Sequence, residues 1–90
     1  MSLPVVTIEF YGIPRARAGR KDVVVSAATA GEALAEASKE CPNLAGLFQS
    51  DGRLSPHYLL SLDGQCFVTD LAHVMHSGDR LLLLSADVGG

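Results

Sequence analysis

The 90-residue chain has no tryptophan, only two cysteines, and no apolar run approaching the roughly 18 residues that a membrane span needs. Cys41 and Cys66 stand far apart and in no metal or redox spacing. A zinc centre built from cysteine alone, or a plant-type iron–sulfur cluster, needs a fuller set of thiolates, so both are excluded. Met1-Ser2-Leu3-Pro4 shows no basic region followed by an apolar stretch. Two unpaired thiols without a secretory signal lead to the expectation of a reducing, cytoplasmic setting. Basic charge is also scarce: seven Lys and Arg stand against ten Asp and Glu, a formal net charge of −3. Nucleic-acid affinity rests mainly on neutralised phosphates, so generic DNA or RNA binding is not expected. The chain has no G-x-S-x-G elbow and no glycine-rich phosphate loop, and its Ser, His and Asp residues show no triad spacing. So short a domain also lacks a second layer to form a pocket, and no active site of its own is expected.

What the chain does have is apolar side chains, 48% of the total, enough for one core and one domain. Val6, Ile8 and Phe10 alternate with Thr7 and Glu9, the period of a half-buried strand. Gly12, Pro14 and Gly19 break that pattern, and Val23-Val24-Val25 forms a second β-branched run. The two read as a hairpin whose long loop carries Arg15, Arg17, Arg20 and Lys21. That basic stretch is either a solvated turn or a docking patch for an acidic partner.

Thr29 followed by Glu32 matches a capping box, and Ala30, Ala33, Leu34, Ala37 and Cys41 recur at helical steps before Pro42. Glu32, Glu36 and Glu40 fall in a row on another helical face, the spacing of any solvated surface. Residues 42–56 read as a connection with one helical turn through Leu44, Leu47 and Phe48. Tyr58–Leu62 is a third strand, and Asp63-Gly64 marks a tight hairpin returning through residues 65–68. A further helical turn is expected within 69–76, where it would place His73 and His76 on one face. Metal binding there would still lack ligands, with Cys66 the sole nearby helper. Arg80–Ala86, with its four consecutive leucines, forms the last strand.

An opening hairpin, a helix crossing the sheet and a last strand returning beside the first make an α+β, β-grasp (ubiquitin-like) fold. The expectation is a mixed sheet of about four to five strands with one main helix over residues 1–86, followed by a flexible Gly-Gly tail over 87–90. Alternation along the last strand sends Leu81 and Leu83 to one face and Leu82 and Leu84 to the other. With Leu59, the latter pair forms a candidate docking patch, unless residues 42–56 cover that side of the sheet.

On these features the chain resembles the ubiquitin-like sulfur carriers of the MoaD/ThiS family. The resemblance spans Phe10-Tyr11-Gly12 through Ala18-Gly19, the helix start at Thr29, Leu62-Asp63-Gly64, Ser77-Gly78-Asp79 and the terminal Gly89-Gly90. Only the diglycine is chemically specific. An α-carboxyl with a pKa near about 3.5 is ionised at neutral pH and is a poor electrophile. The resemblance implies that a partner adenylating enzyme uses ATP to activate Gly90, and that sulfide then makes a thiocarboxylate. No cofactor is bound by the carrier itself. Val88 and Gly89 would thread a narrow channel, helped by the missing Cβ of glycine. An extended 86–90 segment reaches on the order of 13–15 Å. Leu59, Leu82, Leu84, Arg15 and Arg17 would meet the partners, which are the activating enzyme and a sulfur-accepting synthase large subunit. The long 42–56 connection favours a chain like the molybdopterin synthase small subunit or the cysteine-synthesis carrier, and Phe10-Tyr11-Gly12 leans towards the former. Ser85, Ala86 and Asp87 stand where many relatives have prolines. Carriers for thiamine thiazole or cysteine synthesis, and ubiquitin-like modifiers of protein lysines, are the alternatives.

Overall fold

The computed structural model describes residues 2–44 and 46–86. Strand β1 (Val5–Phe10) is followed by α1 (Ile13–Ala18), β2 (Asp22–Ser26), α2 (Ala30–Glu40), β3 (Tyr58–Leu62), β4 (Cys66–Phe67) and β5 (Arg80–Ser85). The sheet order is β2-β1-β5-β3-β4, with β5 parallel to β1 and every other pair antiparallel. This is the expected mixed β-grasp sheet, with the last strand at its centre.

The period-two alternation sets the core. Val6, Ile8 and Phe10 of β1, Val23 and Val25 of β2, and Leu81 and Leu83 of β5 all point to the side that α2 covers. Leu34 and three alanines, Ala30, Ala33 and Ala37, are fully buried along the helix. Small side chains let the helix sit close, and each large aliphatic side chain removed from water contributes about 1.5–3 kcal/mol. The same closeness explains Gly31, whose amide donates to Leu71 O at 2.9 Å. A Cβ at that position would lie 3.2 Å from both Leu71 Cβ and the Leu71 carbonyl oxygen.

The helix start is built as the Thr29–Glu32 spacing predicts, with one difference. Thr29 Oγ1 accepts from Glu32 N at 3.2 Å, but the Glu32 carboxylate reaches past the cap residue to Ala28 N at 2.9 Å. Glu36 pairs with Lys39 at 3.2 Å on the exposed side, as a solvated face requires.

Three local expectations are corrected. The basic stretch is not a plain loop: residues 13–18 form the short helix α1, with Pro14 in its first turn and Gly19 closing it in a left-handed conformation (φ 73°). Within 42–56 there is no helical turn among the described residues. Leu44 and Leu47 reach the core from irregular backbone, and Phe48 instead bridges Leu54. Residues 69–76 are likewise non-helical, held by Gly31 N to Leu71 O, Ala30 N to His73 O and Met75 N to Ala28 O. His73 and His76 therefore share no helical face, and no group of metal-ligating side chains occurs among the described residues.

Candidate functional site

The face of the sheet away from α2 carries the second set of alternating residues. Leu59 and Leu84 are register partners across β3 and β5, and Leu82 sits opposite Ser61 in the same ladder. Leu59 is 39% exposed, and Leu82 and Leu84 are half-buried. The expected patch is therefore brought together. The described part of 42–56 does not close over it: Leu44 and Leu47 pack into the core, and Leu54 and Pro56 only flank Leu59 at the patch's border, where Leu59 stays exposed.

Phe67 joins this patch and was not expected there. It pairs with Ser61, which places it on the open face, where it is 66% exposed. The hairpin explains why. Asp63 (φ 54°) and Gly64 (φ 73°) make the tight turn, with Gln65 N donating to Leu62 O at 3.0 Å. The ladder then pairs Leu62 with Cys66, leaving Gln65 as an extra residue. Had the turn closed on Gln65, with Leu62 opposite Gln65, Phe67 would fall opposite Leu60 and face the core, because a one-residue slip reverses the faces of a strand. A groove of about 260 Å³ continues the apolar surface, lined by Leu54, Pro56, Leu59 and Phe67 among others.

The polar part of the same face centres on Glu9. Its carboxylate takes Arg80 Nη1 at 2.7 Å and Tyr11 OH at 2.9 Å. The hydrogen bond to Glu9 is the main reason that the Tyr11 phenol is held above its ordinary pKa. Burial does the same to the Cys41 thiol, whereas Cys66 lies exposed on β4. A thiol that is both buried and held protonated is a poor nucleophile, so Cys41 acts as a core side chain.

Helix α1 places the basic residues at the end of β5. Tyr11 N donates to Leu83 O at 3.1 Å, anchoring the start of the β1–α1 connection to the last strand. Arg17 Nη1 then donates to Tyr58 OH at 2.8 Å, and Tyr58 is the register partner of Ser85. Arg17 therefore stands beside the point at which the chain runs on from Ser85 and Ala86. Arg15 is exposed and lines a shallow cavity of about 210 Å³ with Glu9, Tyr11 and Lys21. Sequence distance separates these residues from the end of β5, and the parallel β1–β5 pairing closes that gap. Val88, Gly89 and Gly90, the candidate reactive and threading positions, lie outside the described residues, as does the rest of segment 87–90.

No protein-family model and no curated protein sequence matches the chain. Solved structures do. SAMP1 from Haloferax volcanii, a small archaeal modifier protein, is 27% identical over 96% of this chain and 99% of its own, with a TM-score of 0.82. The CysO component of a BexX/CysO complex from Amycolatopsis orientalis shares the fold at 22% identity and a TM-score of 0.80, over 94% of this chain and 99% of the other. A Pyrococcus furiosus protein provisionally described as molybdopterin converting factor subunit 1 shares it at 14% identity and a TM-score of 0.73, over 91% and 97%. The neighbours are small carrier and modifier proteins. Along nearly its whole length the chain shares the β-grasp fold of these structural neighbours, which are ubiquitin-like sulfur carrier and modifier proteins of the MoaD/ThiS type.

Proposed function

We propose that the chain is a sulfur carrier that reacts at the Gly90 carboxylate and docks through the open sheet face. The observation that carries this reading is positional. Leu59, Leu82, Leu84 and Phe67 form one apolar surface on the strands beside β5, and β5 is the strand that runs on towards Gly89-Gly90. A partner seated on that surface has the carboxylate within reach of an extended segment.

The chemistry balances without a bound cofactor. A partner adenylating enzyme joins the Gly90 carboxylate to the α-phosphorus of ATP, releasing pyrophosphate. Hydrosulfide then attacks the acyl carbon, AMP leaves with the bonding pair, and loss of a proton gives the thiocarboxylate. That sulfur is the nucleophile delivered to an acceptor held by a synthase large subunit, and final hydrolysis regenerates the carboxylate. Molybdopterin formation is the recipient pathway we favour, supported by Phe10-Tyr11-Gly12; the long 42–56 connection suits that carrier and a cysteine-synthesis carrier alike. The setting is the cytoplasm; no described helix is long and apolar enough to cross a membrane. Arg15 and Arg17 would steer an acidic partner surface towards the strand end, where electrostatics speeds encounter more than it tightens binding.

The test is intact-mass spectrometry after incubation with an adenylating enzyme, ATP and a sulfide source. A shift equal to the exchange of one oxygen for sulfur, mapped to Gly90, is the expected result. Deleting Gly90, or adding one residue after it, should abolish the shift while the circular dichroism spectrum stays unchanged. Sulfur gain by either variant would refute the reading. A second reading, attachment of Gly90 to protein lysines, draws on the likeness to small archaeal modifier protein 1. It would show as lysine adducts that retain a Gly-Gly remnant after proteolysis.

A further inference from the structure

Strand β2 is an edge strand, and its outer side is unpaired among the described residues. Which groups face outward follows from the ladder. Phe10 N donates to Lys21 O at 2.8 Å and Ala27 N to Pro4 O at 3.0 Å. With the register Val6↔Val25 and Ile8↔Val23, the odd-numbered residues of this segment bond inward to β1. Asp22, Val24 and Ser26 consequently turn their backbone N–H and C=O groups away from the sheet. Val24 is also 61% exposed on the open face. A β-branched edge with free backbone groups is a template for strand addition.

We infer that a second copy of this chain occupies that edge, with the two β2 strands antiparallel about a two-fold axis at Val24. The register is self-complementary. Val24 meets Val24 of the other copy and Asp22 meets Ser26, so every outward group of one strand finds an outward group of the other. Charge favours the same arrangement. Arg20 and Lys21 precede the strand, while beyond its other end the Glu32 carboxylate accepts from Ala28 N at 2.9 Å. Antiparallel pairing brings the basic end of one copy to the acidic end of its mate. Arg20 Nε already donates to Asp22 O at 2.8 Å, and the second lone pair of that carbonyl remains for the incoming amide. The interface is small, so the dimer is weak and concentration-dependent. In the order β2-β1-β5-β3-β4 the edge lies on the far side of β1 from β5, β3 and β4, which leaves the apolar surface of those strands open.

Sedimentation velocity over rising concentration tests this, with Val24→Pro as the first variant. Proline removes a donor that the fold does not use, and edge strands accept it. The wild type should pass from monomer to dimer as concentration approaches about 1 mM. Val24→Pro should raise the dissociation constant by on the order of tenfold or more, since both central hydrogen bonds vanish. Val24→Lys, which keeps every backbone group and adds like charges at the axis, should do the same with an unchanged circular dichroism spectrum. It decides the matter if the proline variant fails to fold. A wild type that stays monomeric at that concentration overturns the inference. So does a dimer that survives Val24→Lys, or one lost in Leu84→Asp and kept in both Val24 variants.

Discussion

Strand β5 contains four leucines in a row, and they do two different jobs. Leu81 and Leu83 are completely buried under α2, whereas Leu82 and Leu84 lie half-buried on the open face with Leu59 and Phe67. Chemistry and neighbours in sequence are the same, so only the pleat separates them. A buried leucine and a surface leucine cannot be told apart by hydropathy. The difference separates core packing, which Leu81 and Leu83 supply, from the docking role proposed for the half-buried pair.

The sharpest break of that comparison is at the buried pair. Leu83→Ala should cost about 2–5 kcal/mol of stability, read from urea unfolding, through lost burial and a residual cavity. Leu84→Asp should leave the unfolding midpoint nearly in place while weakening the activating partner's affinity by about tenfold or more in calorimetry, as central apolar anchors do. If the two substitutions destabilise equally, the open face is core after all. Phe67→Ala tests how far the patch extends. It should lower partner affinity by about 1 kcal/mol or more without a change in stability, given that the ring packs against little in the free protein. The smallest effect belongs to the rim. Arg17→Ala removes the bond to Tyr58 OH and should cost about 0.5–1.5 kcal/mol of stability. It should also make the partner's association rate less sensitive to salt, which stopped-flow measurements at two ionic strengths would show. A two-sided comparison of thiols runs in parallel: Cys66 should react readily with an alkylating reagent, and Cys41 only on unfolding.

Much of this architecture was legible from periodicity. The alternation in β1, the Thr29 cap with the alanine stripe of α2, and the Asp63-Gly64 hairpin each stand where the sequence placed them. Helix α1 was missed because Gly12, Pro14 and Gly19 read as breakers. In the fold the proline sits in the first turn, where its missing N–H costs nothing, and Gly19 supplies the left-handed cap. Breakers and caps are the same residues seen without and with their context. Residues 42–56 show the opposite failure: leucines at helical spacing are drawn into the core from a segment with no helix among its described residues. The site was half legible. Leu59, Leu82 and Leu84 followed from alternation, Phe67 depended on one extra residue in the hairpin, and the approach of Arg17 to the strand end needed a pairing that no local pattern encodes.

That pairing has a consequence in time. Strand β5 lies between β1 and β3, and its contact with β1 joins Ile8 to Leu81 and Phe10 to Leu83 across most of the chain. Loop closure of that length comes late, and non-local strand pairing slows folding. During synthesis the opening hairpin must wait, with Val6, Ile8 and Phe10 lacking their central neighbour until Arg80–Ser85 has been made. A chain that stops short of β5 therefore has neither a finished sheet nor Leu82 and Leu84, since both arrive on the same strand.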